Sequence, residues 1–125
     1  MTLQNLATKV EKIELHPVAT VSNGANAGAS VDISQFVGDI LVIVDAADMG
    51  SANKVDVEVK TSSNASTGFA SFSPKVKADG TLNKELYALL RVDTQKAKEF
   101  IRVEITSTDA TGAVSVTAVG CQKYG

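Results

Sequence analysis

Apolar residues in this chain recur at every second position more often than at every third or fourth. Val55, Val57 and Val59 alternate with Asp56, Glu58 and Lys60, and Ile101, Val103 and Ile105 alternate with Arg102, Glu104 and Thr106. Val114, Val116 and Ala118 follow the same rule. A two-residue period sends successive side chains to opposite sides of an extended backbone, so each segment predicts a half-buried strand with one wet face. Leu86 to Val92 also alternates, with Tyr87 and Leu89 on the second face. Leu82, Leu86, Leu89 and Leu90 fit a helical period too, but the turn signal Asp93-Thr94-Gln95 favours a strand from Tyr87 to Val92. Ile40-Leu41-Val42-Ile43-Val44 is apolar throughout, which predicts a strand buried on both faces.

Turn-forming residues separate these runs. Val18-Ala19-Thr20-Val21 predicts a short extended piece ending at Ser22-Asn23-Gly24, followed by a flexible loop of small residues from Asn26 to Ser30. Val31-Asp32-Ile33 is extended, Ser34-Gln35-Phe36 suits a single helical turn, and Asp45 to Ser51 reads as a loop. Phe69 to Val76 makes a return strand with Pro74 near its end, a position tolerated at a sheet edge, and Ala78-Asp79-Gly80 turns. An internal echo is present. Val57-Glu58-Val59 leads through Ser and Thr to Thr67-Gly68, and Val103-Glu104-Ile105 leads likewise to Thr111-Gly112. Both predict hairpins of one sandwich. Leu3, Leu6, Val10 and Ile13 have helical spacing behind a Thr2 cap, although Val10 to Leu15 equally suits a strand. The expected fold is all-β: a single-domain antiparallel β-sandwich, jelly-roll-like or closed as a small barrel, of about seven or eight strands. It spans residues 18–125, with residues 1–17 as an N-terminal arm or short helix.

Composition narrows the chemistry. The chain has 125 residues, with room for one ordinary core. Its one histidine, His16, precedes Pro17 and would be the sole base for any Ser-His-Asp or Cys-His arrangement. A surface or strand-end role fits it better. Cys121 is the one cysteine, so no intrachain disulfide exists, and its neighbours Val119 and Gly120 suit a small buried hydrophobe. One His and one Cys make a zinc cage uncommon. Asp45, Asp48, Ser51 and Asn53 offer oxygens but lack the alternate spacing of a calcium loop. Asp56 and Glu58 share a strand face predicted to be wet, without the apolar pocket that tunes a catalytic carboxylate. The glycine-rich stretch Asn23 to Ser30 matches neither phosphate-loop pattern. Asn64-Ala65-Ser66 fits a glycosylation acceptor, which matters only on a secretory route. No catalytic residue, metal site or cofactor is therefore expected.

Partners are bounded in the same way. With 12 basic and 14 acidic residues the chain lacks the basic excess that nucleic-acid binding usually shows, although Lys75, Lys77 and Lys84 form a local patch. The longest apolar run, Ile40 to Val44, is too short to span a bilayer as a helix, and the N-terminus lacks a signal-peptide core. A soluble protein made in a cytoplasm is expected. Trp is absent and Tyr is limited to Tyr87 and Tyr124, so strong anchors for a pairwise interface or a sugar platform are few. Such a surface suits a modest contact repeated many times.

The layout Ala19-Thr20-Val21-Ser22-Asn23-Gly24, then Ala29-Ser30-Val31-Asp32-Ile33-Ser34-Gln35-Phe36 before the apolar strand, resembles small structural proteins of tailed bacteriophages. So does the late Phe100-Ile101-Arg102-Val103-Glu104-Ile105 with its Thr-Gly tip. The head decoration, or cement, proteins are the group it most resembles. The resemblance implies a sandwich on the outer capsid surface, in the virion, bound to the major capsid protein as a homo-oligomer (dimer or trimer) and without enzymatic activity. Met1 to Leu15 and the strand nearest Pro74 are the expected contacts. A tail or head-completion part is the nearby alternative, and a ligand-binding sandwich module for carbohydrate or calcium the more distant one.

Overall fold

A computed structural model describes residues 10–50, 53–81, 85–109 and 112–122. The described residues form ten strands: β1 (Val10–Ala19), β2 (Gly24–Ala27), β3 (Val31–Asp32), β4 (Phe36–Ala46), β5 (Lys54–Ser62), β6 (Ala70–Ser71), β7 (Val76–Asp79), β8 (Leu86–Asp93), β9 (Phe100–Thr108) and β10 (Val114–Gln122). All pairings are antiparallel. One sheet runs β1-β10-β4-β8. The other runs β2-β9-β5-β6, with β3 also against β9 and β7 also against β5. The expected all-β sandwich is the observed architecture.

The core is the inward face of both sheets. Ile40, Val42, Val44, Val92, Val114 and Val116 from the first sheet meet Val55, Val57, Val59, Ile101, Val103 and Ile105 from the second, all fully buried. β-Branched side chains stand well on a pleated surface because their restricted χ1 is compatible with it. Met49, in the connection after β4, is also fully buried and plugs one end.

Several local expectations are corrected. The segment after Ser22-Asn23 is not a free loop: Gly24–Ala27 pairs with β9 through Ser107 to Glu104. It is pinned by a reciprocal clamp in which Asn23 Nδ2 donates to Asp109 Oδ1 and Asp109 N–H donates to Asn23 Oδ1, both at 2.7 Å. Gly28 follows at a close approach, where a Cβ would stand 2.6 Å from the Leu15 carbonyl oxygen. The Ser34–Phe36 helical turn is a tight turn closed by Phe36 N–H to Ile33 O at 3.0 Å. The return strand is broken into β6 and β7, because Phe72 and Ser73 N–H both donate to the single carbonyl of Val59 and shift the register ahead of Pro74. β7 continues through Asp79, and the turn falls after it. Of the two echoed hairpins only the first is one. β9 and β10 lie in different sheets, so the Thr111-Gly112 segment, partly outside the described residues, crosses the sandwich.

From Val10 onward the N-terminal segment is a strand on β10, and the division placed at 17/18 falls inside it. The helical spacing over Thr2, Leu3 and Leu6 lies outside the described residues. β4 is corrected as well. Ile40, Val42 and Val44 are buried, but Leu41 is 40% exposed, so this strand has a solvent face despite its unbroken apolar run.

Two measurements check this account. Ile105→Ala is expected to cost about 3 kcal/mol in urea unfolding, since it opens a void in the fully buried core between the sheets. Acid sensitivity follows from the turn after β7. Thr81 N–H and Oγ1 donate to Asp79 Oδ1 at 2.9 and 2.7 Å, which holds this carboxyl below its ordinary value of 3.8. A lowered folded-state value stabilises above 3.8 and loses that contribution as pH falls through the folded value. Asp79→Asn should therefore flatten the fall in melting temperature below pH 4, with little change in the slope at neutral pH.

Candidate functional site

Among the described residues, two outward faces and four sheet edges are the surfaces on which this sandwich can act. The outer face of the second sheet carries charge. β5 presents Asp56, Glu58 and Lys60 beside β9's Arg102, Glu104 and Thr106. The register sets Glu58 opposite Glu104 and Lys60 opposite Arg102, like against like, which alone is unfavourable. The diagonals reverse this. Lys60 Nζ lies 3.1 Å from Glu104 Oε1 and 3.8 Å from Glu58 Oε1. Ser71 Oγ donates to Glu58 Oε2 at 3.1 Å, and the Arg102 guanidinium lies 4.2 Å from the Phe69 ring centre. Glu58 is consequently 6% exposed. The wet face expected for Asp56 and Glu58 is instead largely buried around Glu58, whose charge is met by Lys60 and by Ser71 of the neighbouring strand β6. Asp56 Oδ1 and Arg102 Nε are buried without hydrogen-bond partners, but Asp56 sits opposite Thr106, on a different rung from Arg102.

The outer face of the first sheet is different. Val37 and Leu41 on β4 and Tyr87 and Leu89 on β8 are exposed by 51%, 40%, 68% and 54%. Leu89 stands opposite Ile43, and Leu41 opposite both Arg91 and Val119. The ion pair between Arg91 Nε and Asp39 Oδ2, 3.4 Å, is solvent-exposed at the margin. This apolar face was not foreseen as a surface. Its signal was the unbroken run Ile40 to Val44 together with Tyr87 and Leu89 on one side of their strand.

The other residues singled out by sequence are scattered. His16 Nδ1 donates to the Val114 carbonyl at 3.0 Å, where β1 slips register against β10, so the ring replaces a lost ladder bond. Cys121 is half-buried on β10 and unbridged. Asp45 is exposed on β4, and Asp48 accepts from Gly50 N–H at 2.9 Å; Ser51 lies outside the described residues. No group of three or more His, Cys, Asp or Glu side chains suited to a metal occurs among the described residues. Lys75 and Lys77 are exposed near β7, and Lys84 lies outside the described residues. Asn64 caps its own loop, accepting from Ser66 N–H at 2.9 Å. An open groove of about 340 Å³ runs between the Ile33–Gly38 and Thr94–Glu99 segments, with Lys98 and Glu99 as its ionisable lining.

No protein-family model matches this chain, and no curated protein sequence does either. Solved structures do share its fold. The SPBc2 prophage-derived protein YomS is 13% identical with a TM-score of 0.55, covering 89% of this chain and 91% of that one. The VP2 subviral particle protein of infectious bursal disease virus is 13% identical with a TM-score of 0.54, over 90% of this chain. This chain spans only 33% of the VP2 chain. The architecture is thus one also found in a prophage protein and in a virus particle protein.

The charge layer makes a direct prediction. Lys60→Met should cost about 2 kcal/mol, because it leaves two opposed carboxylates without their shared cation. Adding Glu58→Gln should recover part of that loss in chemical denaturation.

Proposed function

We propose that this protein is a phage virion component that binds the outer surface of the capsid and strengthens the shell by bridging neighbouring coat subunits. The observation that carries the reading is the likeness to the prophage-derived protein over nearly the full length of both chains. The sequence resemblance to decoration proteins and the fold shared with a virus particle protein support it. The chemistry of the surface agrees. Glu58, Lys60 and Glu104 on the second sheet pair among themselves, while the first sheet offers the unbroken edge β8 and exposed apolar side chains, which are suited to holding neighbours. The protein acts in this reading as an adhesive part without catalysis, cofactor or metal. Pressure from packaged genome pushes coat subunits apart, and a bridge between them raises the cost of separation. Many copies make a modest individual contact sufficient.

Mixing the purified protein with undecorated capsids should give saturable binding at a fixed ratio to coat protein and a higher temperature of capsid disruption. Absence of binding would discard the decoration role. Copy number per virion separates the neighbouring reading: a tail or head-completion part would be present in few copies, a decoration protein in hundreds.

A further inference from the structure

We infer that β8 is a self-association edge, on which two copies of this chain pair antiparallel to make one continuous eight-stranded sheet. Four sheet edges are present among the described residues, and three are interrupted. β1 carries Pro17 and slips register twice against β10, between Glu14 and His16 and between His16 and Ala19. The β2/β3 edge is split into pieces of four and two residues. The β6/β7 edge is split into two and four residues around Pro74. Short strands, bulges and proline are the usual devices that keep an edge from pairing. β8 has none of them. Its eight residues pair with β4 in unbroken register from Asp39↔Asp93 to Ala46↔Leu86, and it contains neither proline nor glycine. The exposed apolar residues Tyr87 and Leu89 stand on its outward face.

The occupant follows from complementarity and area. The exposed surface of Val37, Leu41, Tyr87 and Leu89 is on the order of 400 Å² in all, interrupted by Asp39, Asp45 and Arg91, and falls short of the roughly 1,000 Å² that a stable face-to-face contact buries. Main-chain hydrogen bonds along an edge supply what area alone does not. The symmetric register with Ala88 opposite its own copy places Tyr87 against Leu89 of the second copy and Glu85 against its Arg91, each contact occurring twice. The neighbouring symmetric registers are worse. One, centred on Leu89, sets Glu85 against Asp93, like against like, and the other, centred on Tyr87, sets Glu85 against the apolar Leu89 and loses the Glu85–Arg91 pair. A second copy of this chain therefore completes β8 with apolar and ionic pairs matched at once.

This inference concerns the purified protein alone and stands or falls apart from the capsid reading. Sedimentation equilibrium at high micromolar concentration should show a dimer. Leu89→Lys, at an exposed position, should weaken association by about tenfold or more while leaving the melting temperature of dilute protein unchanged. Glu85→Lys and Arg91→Glu should each weaken the dimer, and the charge-swapped double variant should restore it. A monomeric wild type overturns the inference and leaves β8 to a strand from another protein. A dimer insensitive to Leu89→Lys overturns the choice of edge. A double variant that fails to recover overturns the register.

Discussion

The mutual burial of two β-branched faces is the interaction on which the rest of this molecule depends. Neither sheet can exist alone: each would expose a row of valines and isoleucines, and burying that row is the largest favourable contribution available to a chain of this composition. Once the faces are opposed, the chain must cross between sheets at both ends. The crossings explain where special residues fall. Gly28 sits where β1 and β9 approach too closely for a side chain, and Asn23 and Asp109 lock the strand that follows one such crossing. Asp109 takes a left-handed backbone with φ of 52°, a conformation that Asp tolerates better than most residues.

Outside that shared core the two sheets solve opposite problems. The second sheet places like charges on the same rung, and its register would be costly if each pair stood alone. Lys60 spans two acids, a serine hydroxyl engages one of them, and Phe69 covers Arg102. Burying Glu58 is tolerable because its charge is met within the layer. Among the described residues the first sheet carries no comparable cover. Its apolar outer residues remain open, so any gain from removing them from water is left for another molecule to supply.

The inward faces were legible in the residues themselves. Strict alternation over Val55 to Val59, Ile101 to Ile105 and Val114 to Ala118 identified three of the longest strands and the side of each that is buried. Periodicity reports only which side chains share a face, however, and not which sheet a strand joins. That is why Val103-Glu104-Ile105 with its Thr-Gly tip looked like a second hairpin, although the strand after it belongs to the opposite sheet. The same limit explains Ile40 to Val44. An apolar run signals that neither face is strongly polar, and whether the second face meets another layer is decided by the number of layers in the fold. Here there are two, so Leu41 meets solvent. Glu58 failed in the opposite sense: a charged residue on an alternating strand reads as exposed, and its cover comes from Ser71 and Lys60, contacts set by a bulge near Pro74 that no spacing rule anticipates.

The proposed structural role rests on how these surfaces are distributed, more than on any single side chain. Interrupted edges at β1, β2/β3 and β6/β7 keep most of the rim from indiscriminate strand addition. In the proposed role, a chain laid down in many copies needs at least one surface left unfinished, and it must be the same surface each time. Regular register, outward apolar residues and freedom from proline all coincide on one strand, β8. Had that coincidence been spread over several edges, the protein would risk open-ended association. Confined to one, it permits closed contacts only, because two edges paired across a two-fold axis leave no further β8 exposed.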